Sequence, residues 1–304
     1  MALLAVDFLA KLDRLSLIAR RVRAGQMAGE RRSTKRGTSV EFADYRDYAQ
    51  GDDLRRVDWN VYARLERPYV KLFEEEEDLA VHVLLDGSGS MDWGDGDEEA
   101  AGQGDKERNK WFCARRLAAA LGYVALVSGD RLAVANLKSQ ISNFKFGPVR
   151  GRGHVLRLFE WLEEVGAEGT TDLNAALRSY AVSGGRAGLV VLISDLFSPA
   201  GYAEGLAALA ARGHEVSILH VLSSDEVEPP LGGDLRLLDV ETGEPQEVTI
   251  DGGMRALYRR RLEEWQGEIR NTCRARDVRY VPVVTGTPFE RVVLYDLRRV
   301  GLVR

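Results

Sequence analysis

Leu79-Ala80-Val81-His82-Val83-Leu84-Leu85-Asp86-Gly87-Ser88-Gly89-Ser90-Met91 is the stretch on which the fold turns. Its apolar part, set between the charges of Glu74 to Asp78 and Asp86, has the length and Val/Leu content of a buried strand. A parallel strand covered on both faces reads as continuous apolar sequence, and ligands of open α/β sheets gather beyond the carboxyl ends of such strands. Asp86, Ser88 and Ser90 are therefore expected at that end. One carboxylate and two hydroxyls on a short loop are hard oxygen ligands, suited to Mg²⁺ rather than to a soft metal. Three fixed positions are a weak pattern alone, so the rest of the chain must complete the site.

Working outward, an acidic, glycine-rich loop (92–109) leaves directly from Ser90. Lys110 to Val127 reads as a helix with Trp111, Ala114, Leu117, Ala118, Leu121 and Val124 on one side. A strand follows over Arg131 to Leu137, a short one over 139–146, and a helix over Gly153 to Val165. Thr170, Thr171 and Asp172 then cap a helix that ends at Gly184-Gly185. Gly188 to Asp195 is a second apolar run that delivers an aspartate. Pro199 to Arg212 reads as a helix and Glu215 to Leu222 as a strand. This alternation predicts an α/β fold, a doubly wound and mostly parallel sheet with helices on both faces. Residues 223–251 interrupt it as a hairpin insertion, with strands Leu235 to Val240 and Pro245 to Ile250 around Glu241-Thr242-Gly243-Glu244. A helix over Gly253 to Arg276, a strand over Val278 to Val284 and a closing helix over Pro288 to Arg299 complete the chain.

Upstream, Leu3 to Ala24 has helical apolar spacing, and residues 25–40 are basic and irregular. Val40 to Phe73 alternates aromatics with Arg/Asp pairs. It reads either as a small subdomain whose ion pairs tie loops together or as a docking surface rich in Tyr, Trp and Arg. The expected organisation is an N-terminal region of residues 1–78 and an α/β domain of residues 79–304.

The 304 residues carry a net charge of -5, with 45% hydrophobic and 29% charged residues, an ordinary balance for a soluble globular protein. The basic segment 20–36 is the one feature suited to nucleic acid, but it lacks interleaved aromatics, so nucleic-acid binding is a minor alternative. Cys113 and Cys273 have no close-spaced partner, which argues against a disulfide framework or a thiolate zinc site. No run has the length of a membrane span, and the expected location is cytoplasmic.

Three sheet-edge loops thus offer hard oxygen ligands: Asp86/Ser88/Ser90, Thr170 or Thr171, and Asp195. Hydroxyl ligands leave the charge of a cation less neutralised than carboxylates would, so an open coordination position should attract an anionic group from a partner. The five positions resemble the metal-ion-dependent adhesion site of the von Willebrand factor A domain, in which Thr171 is the better counterpart of the family threonine. Glu41-Phe42, Tyr45-Arg46, Gly51-Asp52-Asp53, Arg55, Asp58-Trp59, Ala63-Arg64, Glu241-Thr242-Gly243 and Thr285 to Leu297 resemble the signature of bacterial proteins called domain of unknown function fifty-eight. The resemblance runs from about Gly37 to Leu302. It implies a von Willebrand A-like fold, a Mg²⁺ site with Mn²⁺ or Ca²⁺ as substitutes, and a protein partner supplying an acidic ligand. It also implies association with a MoxR-type AAA+ ATPase in chaperone-like assembly. Two departures stand out: glycines at both variable positions of the first motif loosen that loop, and Leu196-Phe197 replaces the glycine common after the second aspartate.

Catalysis is the rival. Gly87-Ser88-Gly89 is not a nucleophile elbow, since Asp86 stands where glycine is required. His82 and His220 lie in apolar runs and read as satisfied core histidines. An Asp86 nucleophile of a Mg²⁺-dependent phosphohydrolase is the stronger alternative, but the second aspartate expected two residues on is Ser88. No Gly-x-x-x-x-Gly-Lys-[Ser/Thr] phosphate loop occurs. The sequence favours a binding module over an enzyme.

Overall fold

The computed structural model describes residues 3–19, 40–49, 52, 54–75, 78–94, 108–138, 145–183, 185–230, 232–238 and 245–304. The basic segment 20–36, most of the acidic loop, and Glu241-Thr242-Gly243 lie outside these residues. The chain forms two units, one of residues 1–27 with 79–304 and one of residues 28–78.

In the larger unit, strands β3 (Ala80–Asp86), β4 (Arg131–Leu137), β5 (Lys145–Arg150), β6 (Leu189–Ser194), β7 (Glu215–Leu222) and β10 (Arg279–Val284) form one sheet in the order β10-β7-β6-β3-β4-β5. All neighbours pair parallel except β5, which runs antiparallel to β4 at the edge. Counted over these strands alone, the order from β5 to β10 is 3-2-1-4-5-6, the doubly wound arrangement, and the order reverses between β3 and β6. The α/β expectation is met. The described edge strand spans Lys145–Arg150, and residues 139–144 of the expected strand lie outside the described residues.

Period-2 alternation divides the strand side chains between two cores. Val81, Val83 and Leu85 face one core with Leu132, Val134, Val191 and Val221, while Leu84 faces the other with Leu192 and Ile218. Helix α3 (Lys110–Val127) is the centre of the first core. It is buried nearly all round, so it has no polar stripe of the usual surface kind. Gly122 lets it approach closely: a Cβ there would lie 2.6 Å from Leu158 Cδ2 of α4 (Val155–Glu164). Helices α5 (Leu173–Ser183) and α6 (Ala203–Ala211) contribute Leu173, Leu177, Leu206 and Leu209 to the second core, and α8 (Gly252–Ala275) adds Ile269 and Cys273.

The break after residue 78 coincides with the division between the units, while the first residues group with the larger unit. Helix α1 (Val6–Leu12) and the extended residues after it belong with the sheet: Leu3, Leu4, Phe8, Leu12, Leu15 and Leu17 are buried in the first core. Of the helical spacing expected over Leu3 to Ala24, Val6–Leu12 is the only helix among the described residues. Leu17 instead bridges Val303, Ser16 N donates to Arg304 O and Ile18 N to Leu302 O. Phe8 packs edge-on against Phe289, 5.4 Å between centroids. The closing helix is interrupted by a π turn over Val292–Asp296. The hairpin insertion is present as antiparallel β8 (Gly233–Leu238) and β9 (Pro245–Ile250).

In the smaller unit, β1 (Val40–Asp47) pairs antiparallel with β2 (Tyr69–Glu75), with a bulge between Phe42 and Asp44. Asp58 caps helix α2 (Trp59–Leu65) by accepting from Asn60 N and Val61 N, and its other oxygen accepts from Tyr45 Oη at 2.9 Å. Arg46 Nη2 lies 2.8 Å from both oxygens of Asp52. Here the Arg/Asp pairing ties loops together. No described helix of the chain is long and apolar enough to cross a membrane.

Candidate functional site

Each predicted ligand lies where a strand or helix hands over to a loop on the carboxyl edge of the sheet. Asp86 is the last residue of β3 and is buried, and Ser88 and Ser90 follow on a loop that closes into a short 3₁₀ turn, Gly89–Met91. Ser88 Oγ and Ser90 Oγ stand 3.0 Å apart. Asp86 Oδ1 accepts from Ser88 N at 3.1 Å and Oδ2 from Ser194 Oγ at 2.5 Å, which binds the ends of β3 and β6 across the switch point.

The threonine loop is drawn onto the same place by backbone bonds. Gly89 N donates to Gly169 O at 2.7 Å, and Glu168 N to Gly87 O at 2.9 Å. Gly87 N and Thr171 Oγ1 both donate to Leu137 O, at 3.0 and 3.4 Å. Thr171 is buried whereas Thr170 is exposed. The first glycine of the motif has a steric role rather than a loosening one. A Cβ at Gly87 would meet Asn136 Oδ1 at 2.2 Å. That oxygen is itself buried with no hydrogen-bond donor, while its amide nitrogen donates to Gly166 O.

Asp195 is fully buried one residue beyond β6. Its Oδ1 accepts from Phe197 N at 3.0 Å and its backbone oxygen contacts His220 Nε2 at 3.0 Å. Leu196 between them has φ +60, the left-handed conformation that L residues disfavour. The glycine replaced at this position is therefore missed by the backbone. Phe197 stacks on Trp265, 5.0 Å between centroids and 14° between planes.

Three residues of this cluster were missed in the sequence. Lys110, the first residue of α3, has no solvent exposure, and its Nζ lies 2.7 Å from Asp195 Oδ2 and 2.5 Å from Glu226 Oε1. Glu226 belongs to the short helix α7 (Ser224–Val227), where Ser223 and Glu226 form a reciprocal capping box. That Ser-x-x-Glu spacing is visible in the sequence; its link to Lys110 is not. Ser194 carries no motif.

Burial and the neighbouring Asp195 push the Asp86 carboxyl well above the ordinary carboxylate range, to about 6, against the opposing hydrogen bonds from Ser194 and Ser88. A buried carboxylate in that position favours a nearby positive charge. The donor set of Asp86, Ser88, Ser90 and Thr171 is made of hard oxygens and fits Mg²⁺, with water completing the shell. Asp195 fits as an outer partner, because both its oxygens already accept hydrogen bonds. Among the described residues there is no group of three or more His, Cys, Asp and Glu suited to a metal, so a softer transition-metal centre has no comparable set. His82 and His220 behave as core histidines. Desolvation holds each at about 4, and their ring nitrogens contact Tyr180 Oη and Arg186 O, and Tyr280 Oη and Asp195 O.

Comparison with known proteins gives a family and no activity. Uncharacterized proteins of Mycobacterium tuberculosis and Mycobacterium bovis are 30% identical over 268 residues, covering 87% of this chain and 81% of theirs. BatB from Bacteroides thetaiotaomicron, described as a conserved hypothetical protein, is 16% identical with a TM-score of 0.41, over 73% of this chain and 98% of that one. An aerotolerance-related membrane protein from Bacteroides fragilis gives the same identity and TM-score, over 73% of this chain and 99% of its own. The family model described as protein of unknown function DUF58 matches residues 44–268, which include all five candidate ligands, and the chain belongs to that family.

Proposed function

We propose that the chain is a non-catalytic, Mg²⁺-dependent protein-binding module that works as an adaptor for a MoxR-type AAA+ ATPase. The observation that carries this reading is the convergence of Asp86, Ser88, Ser90 and Thr171 at the sheet's switch point, with Asp195 held behind them. Such a shell contains one directly available carboxylate. A bound Mg²⁺ would retain most of its charge and an exchangeable water position, which suits an aspartate or glutamate offered by another protein. The ATPase belongs to the proposal through the signature residues of the family, such as Tyr45-Arg46 and Asp58-Trp59.

Two measurements test it. Titration calorimetry with Mg²⁺ should give binding that Asp86→Ala abolishes; equal uptake by both chains would sink the ligand assignment. A pull-down from a cell extract of an organism encoding the chain should recover an AAA+ ATPase with Mg²⁺ and lose it with EDTA. Turnover of a phosphoester that is abolished by Asp86→Asn would replace this reading with the phosphohydrolase one.

A further inference from the structure

The buried lysine is the part of this centre that the metal-binding reading does not require, and it rests on geometry that is already fixed. Lys110 Nζ is shared by Asp195 and Glu226, and the ring of Phe197 lies 5.2 Å from it on a further side. The start of α3, which carries it, is anchored on both sides. Lys110 N donates to Trp93 O at 2.9 Å, and the Asn109 side chain caps the helix at Phe112 N. An ammonium with three donors and no acceptor is the internal equivalent of a bound cation.

We infer that Lys110 is a built-in counter-cation that withholds Asp195 and Glu226 from the divalent ion and thereby sets its affinity. This inference rests on the metal site proposed above. With Lys110 in place, the formal charges of Asp86, Asp195, Glu226 and Lys110 sum to -2, and one divalent ion cancels them. Without it, Asp195 would be free to enter the first coordination shell, and ligand charge count is a main determinant of affinity for hard cations. The ion would then bind tighter and keep less attraction for a partner's carboxylate. Lys110 is thus a positioning residue for partner binding: it holds the centre's own carboxylate back so that a foreign one can take its place.

The test uses the full chain and the double variant Lys110→Met/Glu226→Gln. That pair of changes leaves the formal sum at -2, so any gain in affinity reports the freed Asp195 and not bulk charge. It also removes one of the two carboxylates that Lys110→Met alone would leave buried without a counter-charge, which protects folding. Mg²⁺ titration calorimetry should show the double variant binding about ten-fold tighter than wild type. Its unfolding temperature should rise further on adding Mg²⁺, and adding Asp195→Asn should return both quantities toward wild type. A folded double variant whose Mg²⁺ affinity lies within about three-fold of wild type overturns the inference while leaving the metal site intact. Absence of Mg²⁺ uptake by wild type and variant alike, or uptake insensitive to Asp86→Ala, overturns the metal site itself and the inference with it.

Discussion

Strands β3 and β6 look alike in sequence and end in different electrostatic states. Each is an apolar run that delivers an aspartate to the same edge, and they are neighbours in the sheet. Asp86 at the first end is met only by hydroxyl and amide donors, and its carboxyl is pushed up to about 6. Asp195 at the second end is met by an ammonium. The difference comes from neither strand. It comes from the first residue of α3, which the fold brings across 85 positions of sequence. A strand pattern tells where a carboxylate is delivered, and the opposing helix decides whether it is left for a ligand.

Removing the ammonium should break the comparison most strongly. Lys110→Met leaves buried carboxylates without their partner and should cost about 3–5 kcal/mol of metal-free stability in urea denaturation, with Mg²⁺ recovering part of it. Acid should act on the layer beneath both ends. His82 and His220 are held at about 4, below their unfolded value of 6.5, so the unfolded chain binds more protons between these limits. Their stabilisation is complete above pH 6.5 and lost as the pH falls toward 4. Each should contribute a loss of about 3 kcal/mol, and urea denaturation at pH 7 and 4.5 of wild type, His82→Phe and His220→Phe would apportion it.

Much of this arrangement is legible in the sequence and part is not, for a physical reason. Buried parallel strands are continuous apolar runs, so β3, β6 and β7 announce themselves, and the loop residues at their ends follow. Lys110 is hidden because a lysine before an apolar helix reads as a solvated first turn. Its burial depends on Asp195 and Glu226, 85 and 116 residues away. Gly87 misleads for a related reason: glycine in a loop suggests freedom, whereas here Asn136 occupies the space of a side chain. The segment after α1 fails as helix because its partners are the last residues described.

The two aspartates can be sharpened against each other directly. Asp86 is raised when folded, so its contribution is fully present below the unfolded value of 3.8 and is lost as the pH rises through about 6. Asp86→Asn should therefore gain metal-free stability at pH 8, while Asp195→Asn should lose stability by weakening the hold on Lys110. Equal signs for the two substitutions, read from urea midpoints in EDTA, would erase the distinction. The smallest effect belongs to the rim: Phe197→Ala removes the stack on Trp265 and should cost about 1 kcal/mol by the same assay.

The strand-like seam that joins Ser16 to Arg304 has a consequence for biosynthesis. These partners are separated by 288 positions, so the ribosome must deliver the chain between them before the seam can form. At about 5–20 residues per second that interval is roughly 15–60 s. Throughout it, Phe8 and Leu12 wait without Phe289, Leu302 and Val303 to complete their surroundings. The segment around Phe8 and Leu12 is then exposed to aggregation for that interval, and loss of Leu302 to Arg304 should be felt there first.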